Sequence, residues 1–492
     1  MIEFVSYTNK IVLYWEIPDF YANKSDFIIM HDDNVVGRTS DFHYEINNLK
    51  SDSKYTFCVY MENDEKNIYV GEVTCTTSAK KEFINICNSP YNAKGDGKTL
   101  NTKAIQRAID DCGADKCVYI PSGDYLTGSL NLHSNMDIYL EKDAILRGTT
   151  EVKDYEPKIK SRFEGTEMMC YSALINIGTL NRECPYTCEN VRIYGEGTIC
   201  GGGRQLAENV IERETILMKD YLDSLGNKIN ECESPRTIPG RSRPRLINIS
   251  CAKNILISGI TIMNGASWNV HMIYSDTIIT HSCIFRSLGV WNGDGWDPDS
   301  STNCTLFDCE FYTGDDAVAI KSGKNPEGNA INIPCEHIRV FDCVNRIGHG
   351  IVIGSEMSGG INDVKIWNCN LEISARGFEI KTTKKRGGFV RNISVKNCSL
   401  SRILIHTVTY NDDGEAAKDL PVIEKCNFEN IRLSGIMHEK DGRCESCEAI
   451  KVEGLNSHDD RVRNINFKNI SISGTTDDLI DISHCKNVTF NN

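Results

Sequence analysis

From about residue 136 onward the chain alternates short β-rich apolar runs with polar turns, and the runs repeat. Successive units read Asn254-Ile-Leu-Ile-Ser-Gly-Ile-Thr-Ile262, Asp276-Thr-Ile-Ile-Thr-His-Ser-Cys-Ile284, Asn303-Cys-Thr-Leu-Phe-Asp-Cys-Glu-Phe311 and His337-Ile-Arg-Val-Phe-Asp-Cys-Val344. Asp363-Val-Lys-Ile-Trp-Asn-Cys-Asn-Leu371 and Asn392-Ile-Ser-Val-Lys-Asn-Cys-Ser-Leu400 continue the series, and Asn464-Ile-Asn-Phe-Lys-Asn-Ile-Ser-Ile472 closes it. The first six start 22, 27, 34, 26 and 29 residues apart. Units with two strands this short cannot bury a face alone and must stack on one another. The pattern predicts an all-β, right-handed parallel β-helix. Cys283, Cys309, Cys343, Cys369 and Cys398 fall at one place in successive units, which predicts an interior packing column rather than a metal site.

Two regions depart from the repeat. Residues 1–77 show short alternating strands such as Lys10-Ile-Val-Leu-Tyr-Trp15 and Tyr55-Thr-Phe-Cys-Val-Tyr60, the pattern of a small β-sandwich. Trp15 followed by Pro18, with Leu49 six residues before Tyr55, resembles the fibronectin type III domain, where such a tyrosine closes a corner between sheets. Residues 78–82 read as a linker and 83–492 as the β-helix domain. Ala104, Ile105, Ala108 and Ile109 after Asn101 and Thr102 predict one capping amphipathic helix. The long gaps 201–243 and 324–335 predict loops that leave the coil and wall a cleft.

Composition narrows the function. The 68 acidic residues exceed the 54 basic ones, giving a formal charge of −14. A nucleic-acid partner is excluded, because phosphate binding needs a basic footprint. No apolar run approaches a membrane span. The start Met1-Ile-Glu-Phe-Val-Ser-Tyr7 has no secretory pattern, so the expected location is the cytoplasm, with the 22 cysteines reduced. Cys444-x-x-Cys447 and Cys184-x3-Cys188 lack a second suitably spaced pair, so no zinc site and no cofactor are expected. The sequence leaves oligomeric state open.

The candidate chemistry is acidic. Val290-Trp-Asn-Gly-Asp-Gly-Trp-Asp-Pro-Asp299 is followed by Thr313-Gly-Asp-Asp-Ala-Val-Ala-Ile-Lys321. Asp294 and Asp315 lie 21 residues apart, about one coil, so they belong on adjacent rungs roughly 4.8 Å apart. Asp315 and Asp316 would face opposite sides of a regular strand, but Gly314 permits a turn that aims both at one site. Glycoside hydrolysis needs such a cluster, one carboxyl protonated by its neighbours' charge and another ionised to activate water. By acid spacing alone, a calcium site and a polar turn ladder fit as well. The following coils add Gly348-His349-Gly350 and then Arg376, Lys381, Lys384, Lys385 and Arg386, cations suited to a substrate that carries carboxylates.

Taken together, Asn292-Gly-Asp294-Gly-Trp-Asp297, Gly314-Asp315-Asp316, Gly348-His349-Gly350 and Ile353-Gly-Ser-Glu-Met-Ser-Gly-Gly360 resemble the polygalacturonases of glycoside hydrolase family 28. Arg243-Pro-Arg-Leu-Ile247 and Ser267-Trp-Asn-Val-His271 fit the same pattern, and Gly293 stands where the family usually has Thr. The resemblance implies inverting hydrolysis with Asp315 as general acid and Asp294 with Asp316 activating water. It implies that His349 tunes the acid and that Lys381 meets a galacturonate carboxylate. Asn292 and Arg376 are further candidate substrate contacts, and Lys321 is either another or a structural ion-pair partner. Trp268, His271 and Tyr410 are candidates too, with packing an equal reading for each. Glu379 replaces a family arginine two residues before Lys381, which opens rhamnogalacturonan or xylogalacturonan as alternative substrates. The resemblance to bacterial exo-acting members implies removal of units from chain ends. A β-helix pectate lyase and a non-catalytic sugar-binding β-helix are the rival classes. With an overall charge of −14, binding of a pectic oligosaccharide must rest on a local cationic pocket.

Overall fold

The computed structural model describes every residue of the chain except 20, 22–24, 64–65, 233, 410–413, 475–478 and 492. From Glu82 onward nearly all pairing is parallel. One strand of each coil enters an 11-stranded sheet, and two more enter a 22-stranded sheet that bends between them. This is the right-handed parallel β-helix that the repeat predicted. Bends recur at residues in the left-handed region, such as Asn254, Asn303, His337, Asp363 and Asn392, the first positions of the units read from sequence. Asn and Asp tolerate that conformation because their short side chains bond locally.

The interior is a stack of branched aliphatic residues. Leu306, Val340, Ile366 and Val395 lie on four consecutive coils and are all buried. The cysteine column is present as expected. Cys283, Cys309, Cys343, Cys369 and Cys398 are buried, and each thiol donates to the carbonyl two residues earlier at 3.2–3.3 Å. The capping helix runs from Thr102 to Asp110 and buries Ile105, Ala108 and Ile109. Its Asn101 side chain bonds the carbonyls of Lys94 and Thr99 instead of capping the helix.

The gap 201–243 differs from expectation. It is helical, with helices Gly203–Leu217, Lys219–Leu225 and Thr237–Gly240. Leu206, Ala207, Val210, Ile211 and Glu214 are its buried positions, spaced by one helical turn, a period that a reading tuned to β-alternation passes over. The 324–335 gap likewise holds a short helix, Glu327–Ile331.

Ahead of the solenoid, strands Ile2–Ser6, Ile11–Trp15 and His43–Ile46 form one antiparallel sheet, and Phe27–His31, Asn34–Thr39, Lys54–Met61 and Ile68–Thr76 form another. Trp15, Phe27, Phe42 and Phe57 fill the space between them. The Tyr55 hydroxyl accepts a hydrogen bond from the Lys50 amide at 3.0 Å. This unit sits on the solenoid's back. Tyr14 stacks on Phe307, the first ring of a stack that continues through Phe341 to Trp367 with centroids 4.9 and 4.4 Å apart. Asp342 accepts from the Phe42 amide at 2.8 Å and pairs with His43 at 2.7 Å, and Lys365 reaches Glu16 at 2.6 Å. The coils braced in this way are those whose opposite face carries the acids.

Candidate active site

The register of the 11-stranded sheet aligns Val270, Trp296, Val318, Ile351 and Phe378 on successive rungs. Two residues before each of these, one column therefore holds Trp268, Asp294, Asp316, His349 and Arg376. The Asn269 amide donates to Asp294 O, Gly295 to Asp316 O and Arg376 to His349 O, at 2.9–3.0 Å, so the line is fixed by backbone bonds. The two glycines flanking His349 are forced by close approach. Gly348 and Gly350 have positive φ, and a Cβ would fall 2.3 Å from Thr313 Oγ1 and 2.2 Å from Gly377 O respectively. Gly293 has a similar reason to replace Thr, since its Cβ would meet Ser287 O at 2.8 Å.

Asp315 and Asp316 do converge, as Gly314 suggested. His349 Nδ1 lies 3.0 Å from Asp315 Oδ1 and 2.9 Å from Asp316 Oδ1, and its amide donates to Asp315 O at 3.1 Å. Lys381 Nζ approaches Asp316 Oδ2 at 3.6 Å. One rung away, Lys321 Nζ pairs with Asp294 Oδ2 at 3.2 Å and lies 3.9 Å from Asp297 Oδ1. Asp294 Oδ1 and both carboxylate oxygens of Asp297 are buried without a hydrogen-bond partner. Four carboxylates thus share three cationic groups, a surplus that favours holding one proton within the cluster.

The titrations follow from this layout. Burial raises the Asp294 carboxyl to about 7 against the pull of Lys321, with Asp315 and Asp316 pushing the same way as burial. Burial, helped by Asp294, also pushes Asp297 well above the usual carboxylate range against Lys321. For Asp315, burial is outweighed by the His349 hydrogen bond and by nearby Lys381, so its pKa falls. Asp316 falls too, its burial outweighed by Lys381 and His349. Burial would lower His349, but its bonds to Asp315 and Asp316 raise it to about 9, so it is an imidazolium at neutral pH.

Not every residue expected to touch substrate is free to do so. Trp268 and His271 are buried, which corrects their reading as sugar contacts. Trp268 stacks on Phe163 at 5.0 Å and carries Lys321 Nζ 3.6 Å above its ring, so it supports the lysine. His271 Nε2 faces Asp299 Oδ2 at 3.4 Å, and burial lowers its pKa to about 4. Asn292 accepts from Arg243 Nη2 at 2.7 Å, which anchors the acid loop from behind. In the 384–386 run, Arg386 is buried and donates to Ser355 O at 2.7 Å, while Lys385 donates to Gly414 O at 3.0 Å. Arg376 stays half-exposed at the end of the column. Tyr410 lies outside the described residues.

The structure adds Arg162 and His406, which the motifs did not contain. Arg162, on the hairpin Ile159–Phe163/Thr166–Cys170, is buried and donates to Asp299 Oδ1 at 2.8 Å. Glu379 is buried, 2.6 Å from His406 Nε2 and 3.8 Å from Lys381 Nζ. Glu379 and His406 stand 27 residues apart, one coil, a spacing that would have flagged the pair.

A solenoid with paired acids, a charged histidine and a lysine at its groove defines a carbohydrate-active hydrolase. The glycosyl hydrolases family 28 profile matches residues 112–492, and the chain belongs to that family. An exo-poly-alpha-D-galacturonosidase of Dickeya chrysanthemi is 27% identical over 98% of this chain and 88% of its own length. A probable polygalacturonase of Vitis vinifera is 32% identical, with 70% of each chain covered. The family 28 exopolygalacturonase of Yersinia enterocolitica shares the fold with a TM-score of 0.83 at 23% identity, over 99% of this chain and 98% of its own.

Proposed function

We propose that this hydrolase removes units from the ends of α-1,4-linked galacturonide oligomers, with inversion. The observation that carries the reading is His349 Nδ1 held between Asp315 and Asp316, with Lys381 on the far side of Asp316. Asp315 is the acid that protonates the leaving oxygen, and Asp294 with Asp316 positions and deprotonates the attacking water. Without substrate, His349 keeps the proton and Asp315 is ionised. An entering sugar excludes water, which raises the Asp315 pKa and lowers that of His349, so the proton passes from His349 to Asp315. Lys381 receives a substrate carboxylate and Arg376 completes the cationic side, while Lys321, buried against Asp294, holds that acid from beneath.

The 27% identity with the Dickeya exo-acting enzyme over nearly the whole chain supports the exo mode. The sandwich is a fibronectin type III-like domain in this reading, supported by the Tyr55 corner bond, and its task is to brace the catalytic coils. The same reading keeps the protein in the reducing cytoplasm, acting on oligosaccharides. In support, the five stacked cysteines serve as thiol donors. Viscometry with product sizing on polygalacturonate tests the mode. Slow viscosity loss with monomer or dimer as the first product is expected, and a rapid drop with mixed oligomers would overturn it.

A further inference from the structure

Glu379 occupies a position where the family places an arginine, and an acid there should repel a uronate. The structure shows how that repulsion is cancelled. The Glu379 side chain is buried, and its Oε1 bonds His406 Nε2 at 2.6 Å while Oε2 lies 3.8 Å from Lys381 Nζ. Burial would raise this carboxyl, but Lys381 and His406 hold it below its ordinary value, so it stays ionised. Parallel pairing sets Lys381 directly beside His406 on the next rung. The two side chains are 17% and 19% exposed, so both open to the groove, whereas Glu379 at 4% does not.

We propose that His406 is a substrate-binding, specificity-determining residue, oriented by Glu379 to receive the carboxylate of the uronate unit that lies over Lys381. The imidazole has two nitrogens, and Glu379 takes Nε2. The other nitrogen has no protein partner among the described residues, and it donates to an anion when the ring carries both protons. A carboxylate behind an imidazole fixes the ring's orientation, so the pair places at one rung the anion contact that an arginine would supply at the previous one. Glu379 is a positioning residue. The geometry therefore keeps acidic sugar units as the ligand class despite the acid in the motif.

The inference rests on the galacturonide reading above, and kinetics of the full chain on trigalacturonate separate the two. Wild-type protein is measured first. Failure to release reducing ends would sink the function reading itself. With wild-type activity in hand, His406→Ala is expected to raise KM about tenfold and to leave kcat within about twofold, the signature of lost uniform binding. His406→Lys should return KM to within about threefold of wild type, and Glu379→Gln should raise it about threefold. A thermal midpoint for each variant identifies misfolding, and the lysine variant reads the charge if the alanine variant fails to fold. An unchanged KM in His406→Ala, a KM rise that His406→Lys does not reverse, or an equal fall in kcat would overturn the assignment.

Discussion

Two columns run along the same coils and obey opposite rules. On one, Cys283, Cys309, Cys343, Cys369 and Cys398 repeat a single residue, each buried and each with its thiol bonded to a carbonyl. On the other, Trp268, Asp294, Asp316, His349 and Arg376 hold four residue types on five rungs. The cysteine column meets the same surroundings at every rung, so one small apolar side chain solves every rung. The acid column divides several tasks among its rungs, and it carries buried charge at a cost to stability. Asp294 Oδ1 and both oxygens of Asp297 have no hydrogen-bond partner among the described residues. Regularity marks what holds the solenoid together, and its interruption marks where chemistry is done.

Substitutions can break this division. Asp315→Asn should lower kcat by about 10²–10⁴, the usual worth of general acid–base catalysis, while leaving the thermal midpoint nearly unchanged. A large fall in the midpoint would show that the acid column is also structural. Phe341→Ala is the reverse case. Its ring is buried between Phe307 and Trp367 at 4.9 and 4.4 Å, under the sandwich, so truncation should cost about 3–5 kcal/mol in denaturant unfolding, with kcat of the folded fraction retained.

A smaller effect sharpens the account of His349. Its pKa rises from 6.5 to about 9 on folding. A raised basic group contributes stability that is complete below 6.5 and lost as pH climbs through 9. At about 1.4 kcal/mol per unit, wild-type protein should lose up to roughly 3 kcal/mol relative to His349→Gln over that window. Equal pH dependence in the two proteins would show that the imidazolium is not held by Asp315 and Asp316.

The repeating half of this design was legible in the sequence because it repeats. Asn and Asp at the bends and Cys on the inner face gave the solenoid, its cysteine column and the order of Asp294, Asp315, Asp316, His349 and Lys381. The helical 201–243 segment was missed because its apolar residues are spaced by one helical turn inside a chain otherwise read with a period of two. For Trp268 and His271 the sequence left sugar contact and packing as equal readings, and only packing against Phe163 and Asp299 shows them beneath the groove. Arg162 could not be foreseen, since it reaches Asp299 from 137 residues away. The proton balance was hidden for a related reason. Adjacent Asp315 and Asp316 look alike in sequence, and the carboxyls that are raised, Asp294 and Asp297, are set apart by burial and by sharing Lys321.

The central claim is that water attacks the sugar from the face opposite the departing oxygen while Asp315 protonates that oxygen. Proton NMR of trigalacturonate hydrolysis in its first minutes reads this directly. The account predicts that the newly formed reducing end appears first as the β-anomer and then equilibrates. An α-anomer appearing first, or an unsaturated product absorbing in the ultraviolet, would contradict it.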